Sequence, residues 1–354
     1  MPPRKIHCRE CDCRFDLEPE DAGLRKVRCP QCGAMVPVRP VTARQDYGTT
    51  RRSSGPRWLV ILVVLGGVLG LGCCGGVIGL IWWSLQPYNF PEQTHDYAEA
   101  RKTFKTTLTS KTPAPQVAQG GQPPPGVTEV TYKSGELQLK AWVNRPPAGA
   151  PPAAAVLYLH GGFAFDPEDW DQCKPFRDAG FVTMTPSLRG ENGQAGWFSM
   201  FYDEVDDVLA AAQFLAKMPG VDSKRVFIAG HSAGGTLALL AAMTSKEFKA
   251  CASFSGSPDQ VKFAEQEQGL VRFDTSDMKE LEMRSPLAFP KSFKCPVRLY
   301  WGDGEIFFRF SSRKLAKKAS AAGLDVQAIE LPGDHLTSVD PAMRQAITFF
   351  QQQK

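Results

Sequence analysis

Apolar and polar positions along this chain follow three different rhythms. From Trp58 to Leu85 the run WLVILVVLGGVLGLGCCGGVIGLIWWSL holds 28 residues without a charged side chain. At about 1.5 Å per residue a helix over it would reach about 42 Å, more than the roughly 30 Å hydrocarbon core, which predicts a tilted transmembrane helix. Trp58 at one end and Trp82, Trp83 and Tyr88 at the other suit the interfacial aromatic belts. From Val127 onward, short apolar or alternating runs trade places with helical periodicity. Strands are predicted at Val127–Lys133, Leu137–Asn144, Ala154–His160, Val182–Pro186, Arg225–Ala229, Ala250–Ser255, Val297–Trp301 and Val326–Glu330. Helices are predicted at Asp203–Lys217, Gly234–Thr244, Ser311–Ala322 and Pro341–Gln351. Two opening strands followed by β-α repeats imply an α/β fold, a mostly parallel eight-stranded sheet covered by helices on both faces.

Between these regions the pattern weakens. The stretch HDYAEARKTFKTTL has helical spacing, and SKTPAPQVAQGGQPPPG reads as an extended spacer rather than a packed core. The organisation that follows is a cysteine-rich knob over 1–40, a basic linker over 41–57, the membrane helix over 58–85, a stalk and Pro/Gly-rich linker over 86–126, and an α/β domain over 127–354.

Charge adds a direction. The first 57 residues carry 12 Lys/Arg against 7 Asp/Glu, and after the span no Lys or Arg occurs until Arg101. By the positive-inside rule the N-terminus is cytoplasmic and the α/β domain lies outside the inner membrane. The spacings Gly66-x-x-x-Gly70, Gly72-x-x-x-Gly76 and Gly75-x-x-x-Gly79 offer a helix-packing face for a homodimer, and accident in a Gly-rich helix is the competing reading.

Cys8-x-x-Cys11 and Cys29-x-x-Cys32 are 17 residues apart, the spacing of a four-cysteine zinc site, with Cys13 as an extra thiol. About 40 residues bury little core, so metal would supply most of the folding energy. Residues 6 to 38 resemble the short zinc ribbon at the N-terminus of many bacterial membrane proteins. The resemblance implies a structural Zn2+ on Cys8, Cys11, Cys29 and Cys32, serving a protein partner or a cap; no basic or aromatic stripe is organised for nucleic acid.

Gly230-His231-Ser232-Ala233-Gly234 follows the apolar run Val226–Ala229 and has the G-x-S-x-G form of a nucleophile elbow, with a serine on a strained strand-to-helix turn. Five histidines occur, and His335, in a Gly-Asp-His loop after the last predicted strand, is the one placed to act as base. Cys173, Cys251 and Cys295 allow at most one disulfide, and buried free thiols are the favoured reading.

With LYLHGGF, PSLRGENGQAGWF, VDSKRVFIAGHSAGG, RSPLAF, YWGDGE and LPGDHLTSVD in this order, residues 127 to 354 resemble the α/β-hydrolase superfamily, within it the dienelactone-hydrolase and prolyl-oligopeptidase-like branch. The resemblance implies a catalytic Ser232, His335 and Glu305, with Asp303 as the alternative acid, because glutamate stands where the family usually has aspartate. It implies an oxyanion hole from the backbone N–H groups of Gly162 or Phe163 and of Ala233. Arg189 has two readings, a contact to a substrate carbonyl or a brace for its loop. A membrane-anchored serine hydrolase acting through an acyl-enzyme follows, needing no cofactor for catalysis. Ester cleavage is favoured over peptide cleavage, because no propeller domain screens the site and only Asp259 to Arg284 could form a cap. The alternative is a non-catalytic hydrolase-fold module that reads a ligand and reports to the zinc ribbon.

Overall fold

A computed structural model describes residues 4–7, 11, 13–17, 26–37, 85–118, 121–146 and 149–353. The basic linker, the glycine spacings and all of the expected membrane span except Leu85 lie outside these residues. No helix among the described residues is long and apolar enough to cross a membrane.

The large sheet has eight strands: β1 (Val127–Ser134), β2 (Leu137–Asn144), β3 (Ala153–Leu159), β4 (Val182–Pro186), β5 (Val221–His231), β6 (Cys251–Phe254), β7 (Val297–Gly302) and β8 (Val326–Leu331). Their spatial order is β1-β2-β4-β3-β5-β6-β7-β8; β2 runs antiparallel to both of its neighbours, β1 and β4, and all other neighbouring pairs are parallel. All five residues of β4 are buried, and β3 is buried from Ala155 onward, which suits strands covered on both faces. Edge strand β1 instead alternates, with its tip closed by the Gly135-Glu136 turn in which Gly135 has φ +56°.

This order creates a crevice. From β3 the chain moves outward to β4 on one side, and from β5 to β6 on the other, so the loops leaving adjacent strands β3 and β5 diverge. Ligand sites of open α/β sheets form at such a switch point, outside the carboxyl ends of the strands. His160–Phe163 leaves β3 there, and Ser232 leaves β5.

Two short helices, α2 (Pro167–Gln172) and α3 (Lys174–Asp178), follow β3, and α4 (Glu204–Ala216), α5 (Ala233–Thr244), α8 (Ile306–Ala321) and α9 (Val339–Gln351) flank the sheet. Helix α5 is buried from Ala233 to Met243 and packs on β5 and β6, which accounts for its apolar side chains on every face. On the opposite face, Phe350 of α9 stacks on Phe227 of β5 at 4.6 Å between ring centroids.

The segment expected to be a free stalk and spacer is part of this body. Asp96 caps a short helix, α1 (Tyr97–Thr103), by accepting the Glu99 N–H at 2.9 Å. Tyr97 is fully buried, and its hydroxyl donates to the Met283 carbonyl at 2.8 Å. Phe90 is buried as well, and the Tyr88 N–H donates to Asp259 at 2.6 Å. Beyond α1 the chain is extended, as its Pro content predicts, yet it is held down along the domain. Arg284, fully buried, ties the two together through Thr106 at 2.7 Å and Glu280 at 2.5 Å, with its guanidinium 3.8 Å from the centroid of the Phe273 ring. The expected cap region is small, comprising α6 (Gln260–Gln266) and α7 (Met278–Glu282).

In the N-terminal knob, Arg4–His7 pairs antiparallel with Arg14–Leu17, and Lys26–Arg28 with Met35–Pro37.

Candidate active site

Ser232 sits between β5 and α5 with φ 54° and ψ −115°, a conformation that L side chains rarely adopt. Its N–H donates to the Phe254 carbonyl at 2.8 Å, and its carbonyl accepts the Thr236 N–H at 3.1 Å, which holds the strained turn at both ends. A Cβ on Gly230 would lie 2.3 Å from the Gly234 carbonyl oxygen, and one on Gly234 would lie 2.2 Å from that of Leu159. The two glycines therefore permit the close crossing of strand and helix that the turn requires.

His335 comes to this crevice from the loop after β8. Its Nδ1 lies 2.6 Å from Glu305 Oε1, and its ring stacks on Phe308 with 5.5 Å between centroids. Because an ionised carboxylate only accepts, Nδ1 carries the proton and Nε2 is the basic nitrogen. Asp334 fixes the loop by accepting from the N–H groups of Leu336 at 3.1 Å and Thr337 at 2.9 Å. His231, the neighbour of the nucleophile, donates from Nε2 to the His335 carbonyl at 2.8 Å. It thus positions the base from the nucleophile's own strand, a role its sequence position did not disclose.

Glu305 follows β7 and is 8% exposed. Its Oε2 accepts the Ser255 hydroxyl and the Gly302 N–H, both at 2.6 Å. Burial pushes its carboxyl upward, but the hydrogen bonds from His335, Ser255 and Gly302 prevail and hold it below the usual carboxylate range. Asp303, the alternative acid, is exposed, and its Oδ1 accepts the Gly333 N–H at 3.0 Å. Ser255 was not singled out from sequence. It closes a predicted strand, and nothing local marks a positive φ of 50° there.

Gly162, Phe163 and Ala233, the expected oxyanion donors, line one small cavity of about 10 Å³, water-sized, walled by Leu188, Phe198, Phe201 and Leu237. Gly162 has φ +73°, which glycine accepts without strain. The Phe163 N–H donates at 2.8 Å to Oε1 of Gln116, a residue of the segment expected to be a spacer. The Phe163 ring packs edge-on against Phe198 with centroids 4.9 Å apart.

A buried pair holds this loop. His160 and Glu191, each 4% exposed, meet at 3.0 Å, and Glu191 also accepts the Leu188 N–H at 2.9 Å. Burial alone would lower the His160 imidazolium, but the Glu191 charge and hydrogen bond raise it to about 9. A folded value above the ordinary 6.5 means that the pair's stabilisation is complete below pH 6.5 and is lost as pH rises through about 9. The domain's free energy of unfolding, measured in urea, is expected to fall across that window, by at most about 1.4 kcal/mol per pH unit from this group. Glu191→Gln should lower stability at pH 6.5 and flatten the slope; an unchanged slope would remove the pair as its source.

Arg189 is a brace. Its Nε and Nη2 donate to the two oxygens of Asp207 at 2.8 and 2.7 Å, and Asp207, fully buried, also takes the Ser134 hydroxyl at 2.6 Å. Cys173, Cys251 and Cys295 are free thiols, with Cys173 pushed up to about 11 and Cys295 to about 12 by burial.

In the knob, the thiols of Cys11, Cys29 and Cys32 lie within 4.8 Å of one another, while Cys8 is outside the described residues. Cys11 and Cys29 sulfurs are 3.6 Å apart, near the about 3.8 Å edge of a tetrahedron with 2.3 Å Zn–S bonds. The Cys29–Gly33 turn is closed by the Gly33 N–H on the Cys29 carbonyl at 2.9 Å, with Gly33 at φ +75°. The donor set fits zinc, although Cys13, 3.3 Å from Cys29, competes for a place in it.

Residues 169–287 match the prolyl oligopeptidase family. An uncharacterized peptidase of Bacillus subtilis, YtmA, is 26% identical over 190 residues, covering 49% of this chain and 71% of that protein. Among solved structures, an acylaminoacyl peptidase of Pyrococcus horikoshii is 22% identical with a TM-score of 0.54, over 64% of this chain and 41% of that one. A putative dienelactone hydrolase of Klebsiella pneumoniae is 17% identical with a TM-score of 0.52, over 64% of this chain and 98% of that one. These structures share the fold, and this chain spans less than half the length of the acylaminoacyl peptidase.

Proposed function

We propose that the C-terminal domain, a serine hydrolase of the α/β-hydrolase type, cleaves peptide or amide bonds through an acyl-enzyme on Ser232. The observation that carries this reading is the Glu305–His335 pair at 2.6 Å, tied through His231 to the strand that leads into Ser232, which is held at φ 54°. Ser232 Oγ attacks the carbonyl carbon while His335 Nε2 takes its proton and then returns it to the leaving group. Glu305 keeps the imidazole in the productive tautomer and offsets the charge of the imidazolium. The N–H groups of Ala233 and of Gly162 or Phe163 face the developing oxyanion, each donor contributing about 3–4 kcal/mol to the transition state. Water then attacks the acyl-enzyme by the same route in reverse.

Sequence reasoning favoured esters because no propeller screens the site. The match to the prolyl oligopeptidase family and the peptidase relative favour peptides. Ser232-dependent turnover of aminoacyl amides beside p-nitrophenyl esters tests the choice. Hydrolysis of esters alone would overturn it.

The 28-residue apolar run supports anchoring in the inner membrane with the hydrolase outside, and the thiol cluster supports a structural zinc on Cys8, Cys11, Cys29 and Cys32. The knob, about 40 residues that bury little core, then offers a surface to a cytoplasmic protein partner. One preparation of membrane-bound full-length protein tests both: stoichiometric zinc, and a C-terminal reporter active only outside the cytoplasm. Metal-free protein, or a reporter active inside, would reject the respective assignment.

A further inference from the structure

Resting on the hydrolase reading above, we propose that Lys111–Ala118 is an internal occupant of the substrate groove, with Gln116 holding an oxyanion donor until an extended peptide displaces it.

The segment lies as a bound peptide would. Thr112, Ala114, Gln116 and Ala118 are buried or half-buried, while Lys111, Pro113, Pro115 and Val117 are exposed, an alternation of period two typical of an extended chain on a surface. Main-chain groups of the domain hold it: the Phe198 N–H donates to the Thr112 carbonyl at 3.0 Å, and the Ala114 N–H donates to the Gly190 carbonyl at 3.0 Å. At its end the Ala118 N–H donates to Asn192 Oδ1 at 3.2 Å. The outward positions Pro113 and Pro115 have no N–H to leave unpaired. The groove is fitted to this occupant, because a Cβ on Gly190 would meet the Ala114 nitrogen at 3.1 Å and the Pro113 Cα at 3.3 Å. Upstream, the Thr109 N–H donates to the Arg272 carbonyl at 2.7 Å and Arg272 Nε to the Thr112 hydroxyl at 2.9 Å, which latches the segment to the cap.

Gln116 stands where the reaction needs vacancy. Its side-chain carbonyl, an uncharged amide oxygen like that of a peptide bond, accepts the Phe163 N–H at 2.8 Å. With Phe163 as the second oxyanion donor, a substrate oxyanion must take that N–H or share it. The groups that hold the segment are mostly backbone N–H and C=O, which recognise any extended main chain and no particular side chain. The displacing ligand is therefore an extended peptide, and the competent state is the fraction of molecules with the segment released.

Full-length protein carrying Gln116→Ala tests this, read by the rate of fluorophosphonate capture at Ser232 and by p-nitrophenyl acetate turnover. Loss of one competing hydrogen bond is expected to raise kcat/KM about threefold to tenfold. Pro113→Gly with Pro115→Gly removes no contact made through a side chain in the groove, but it raises the entropy of the released segment, and it is expected to accelerate capture in the same direction. A Gln116→Ala protein that melts like wild type yet is captured no faster overturns the proposal, because Gln116 then supports the loop instead of blocking it. Should that variant fail to fold, capture of the proline variant at the wild-type rate overturns it equally. Absence of capture in wild type and variants alike rejects the hydrolase reading itself, and the proposal with it.

Discussion

Ser232→Ala is expected to abolish fluorophosphonate capture and to lower kcat by about 10⁶-fold, leaving only the catalysis that binding and the oxyanion donors supply. Its fold should survive. Alanine removes one hydroxyl that caps nothing, since the side chain of Ser232 makes no cap bond to α5. The strained φ of 54° is imposed by the Phe254 carbonyl and the Thr236 N–H, which bond the backbone and are untouched by the change. Single-turnover kinetics with an activated ester, together with a melting temperature near wild type, would establish the loss as chemical. Residual capture above a few per cent of wild type would mean that another residue is the nucleophile.

Glu305→Gln is expected to cost about 10³- to 10⁴-fold in kcat, and Asp303→Asn less than about threefold, measured on the same amide substrate. The asymmetry follows from the donors around the carboxylate. Oε2 accepts both the Ser255 hydroxyl and the Gly302 N–H, so a glutamine must keep its oxygen there and turn its NH₂ toward His335 Nδ1. Facing a donor, Nδ1 becomes the acceptor, and the proton moves to Nε2, where it blocks abstraction from Ser232. The loss is thus one of tautomer as well as of charge. Asp303 serves only the Gly333 N–H at the surface, and asparagine can accept the same bond through its carbonyl. If Asp303→Asn proved the more damaging, the acid would have to be reassigned.

Much of the fold was legible because its signals are local. Buried parallel strands read as apolar runs, and Leu137–Asn144 and Val182–Pro186 were placed to the residue. Strand β5 begins at Val221, before its apolar run, because Asp222–Lys224 is polar and partly exposed and only Val221 pairs there, with Ala153. The stalk departs from its composition for a different reason. Pro, Gly and Gln describe an extended chain correctly, but composition cannot say whether an extended chain is free or docked. Tyr97 and Phe90 are the clue the segment holds, two large aromatics that an extended spacer alone does not bury.

The site divides the same way. Serine between glycines, one spare histidine and an acid after the seventh strand are written in the sequence, because the elbow and the strand ends fix where those side chains stand. The choice of Glu305 over Asp303 as the partner of His335, the brace of Arg189 on Asp207, the grip of His231 on the His335 carbonyl and the docking of Gln116 on Phe163 are not. Each joins residues far apart in the chain through one to three hydrogen bonds, and no periodicity records such a pair. What the sequence determined by itself was the inventory of chemistry and the order of elements that carries it to one edge of a sheet. What tertiary structure decided was which acid faces the base and which group accepts the Phe163 N–H, since both depend on loops, distant in the chain, that only folding brings within hydrogen-bond reach.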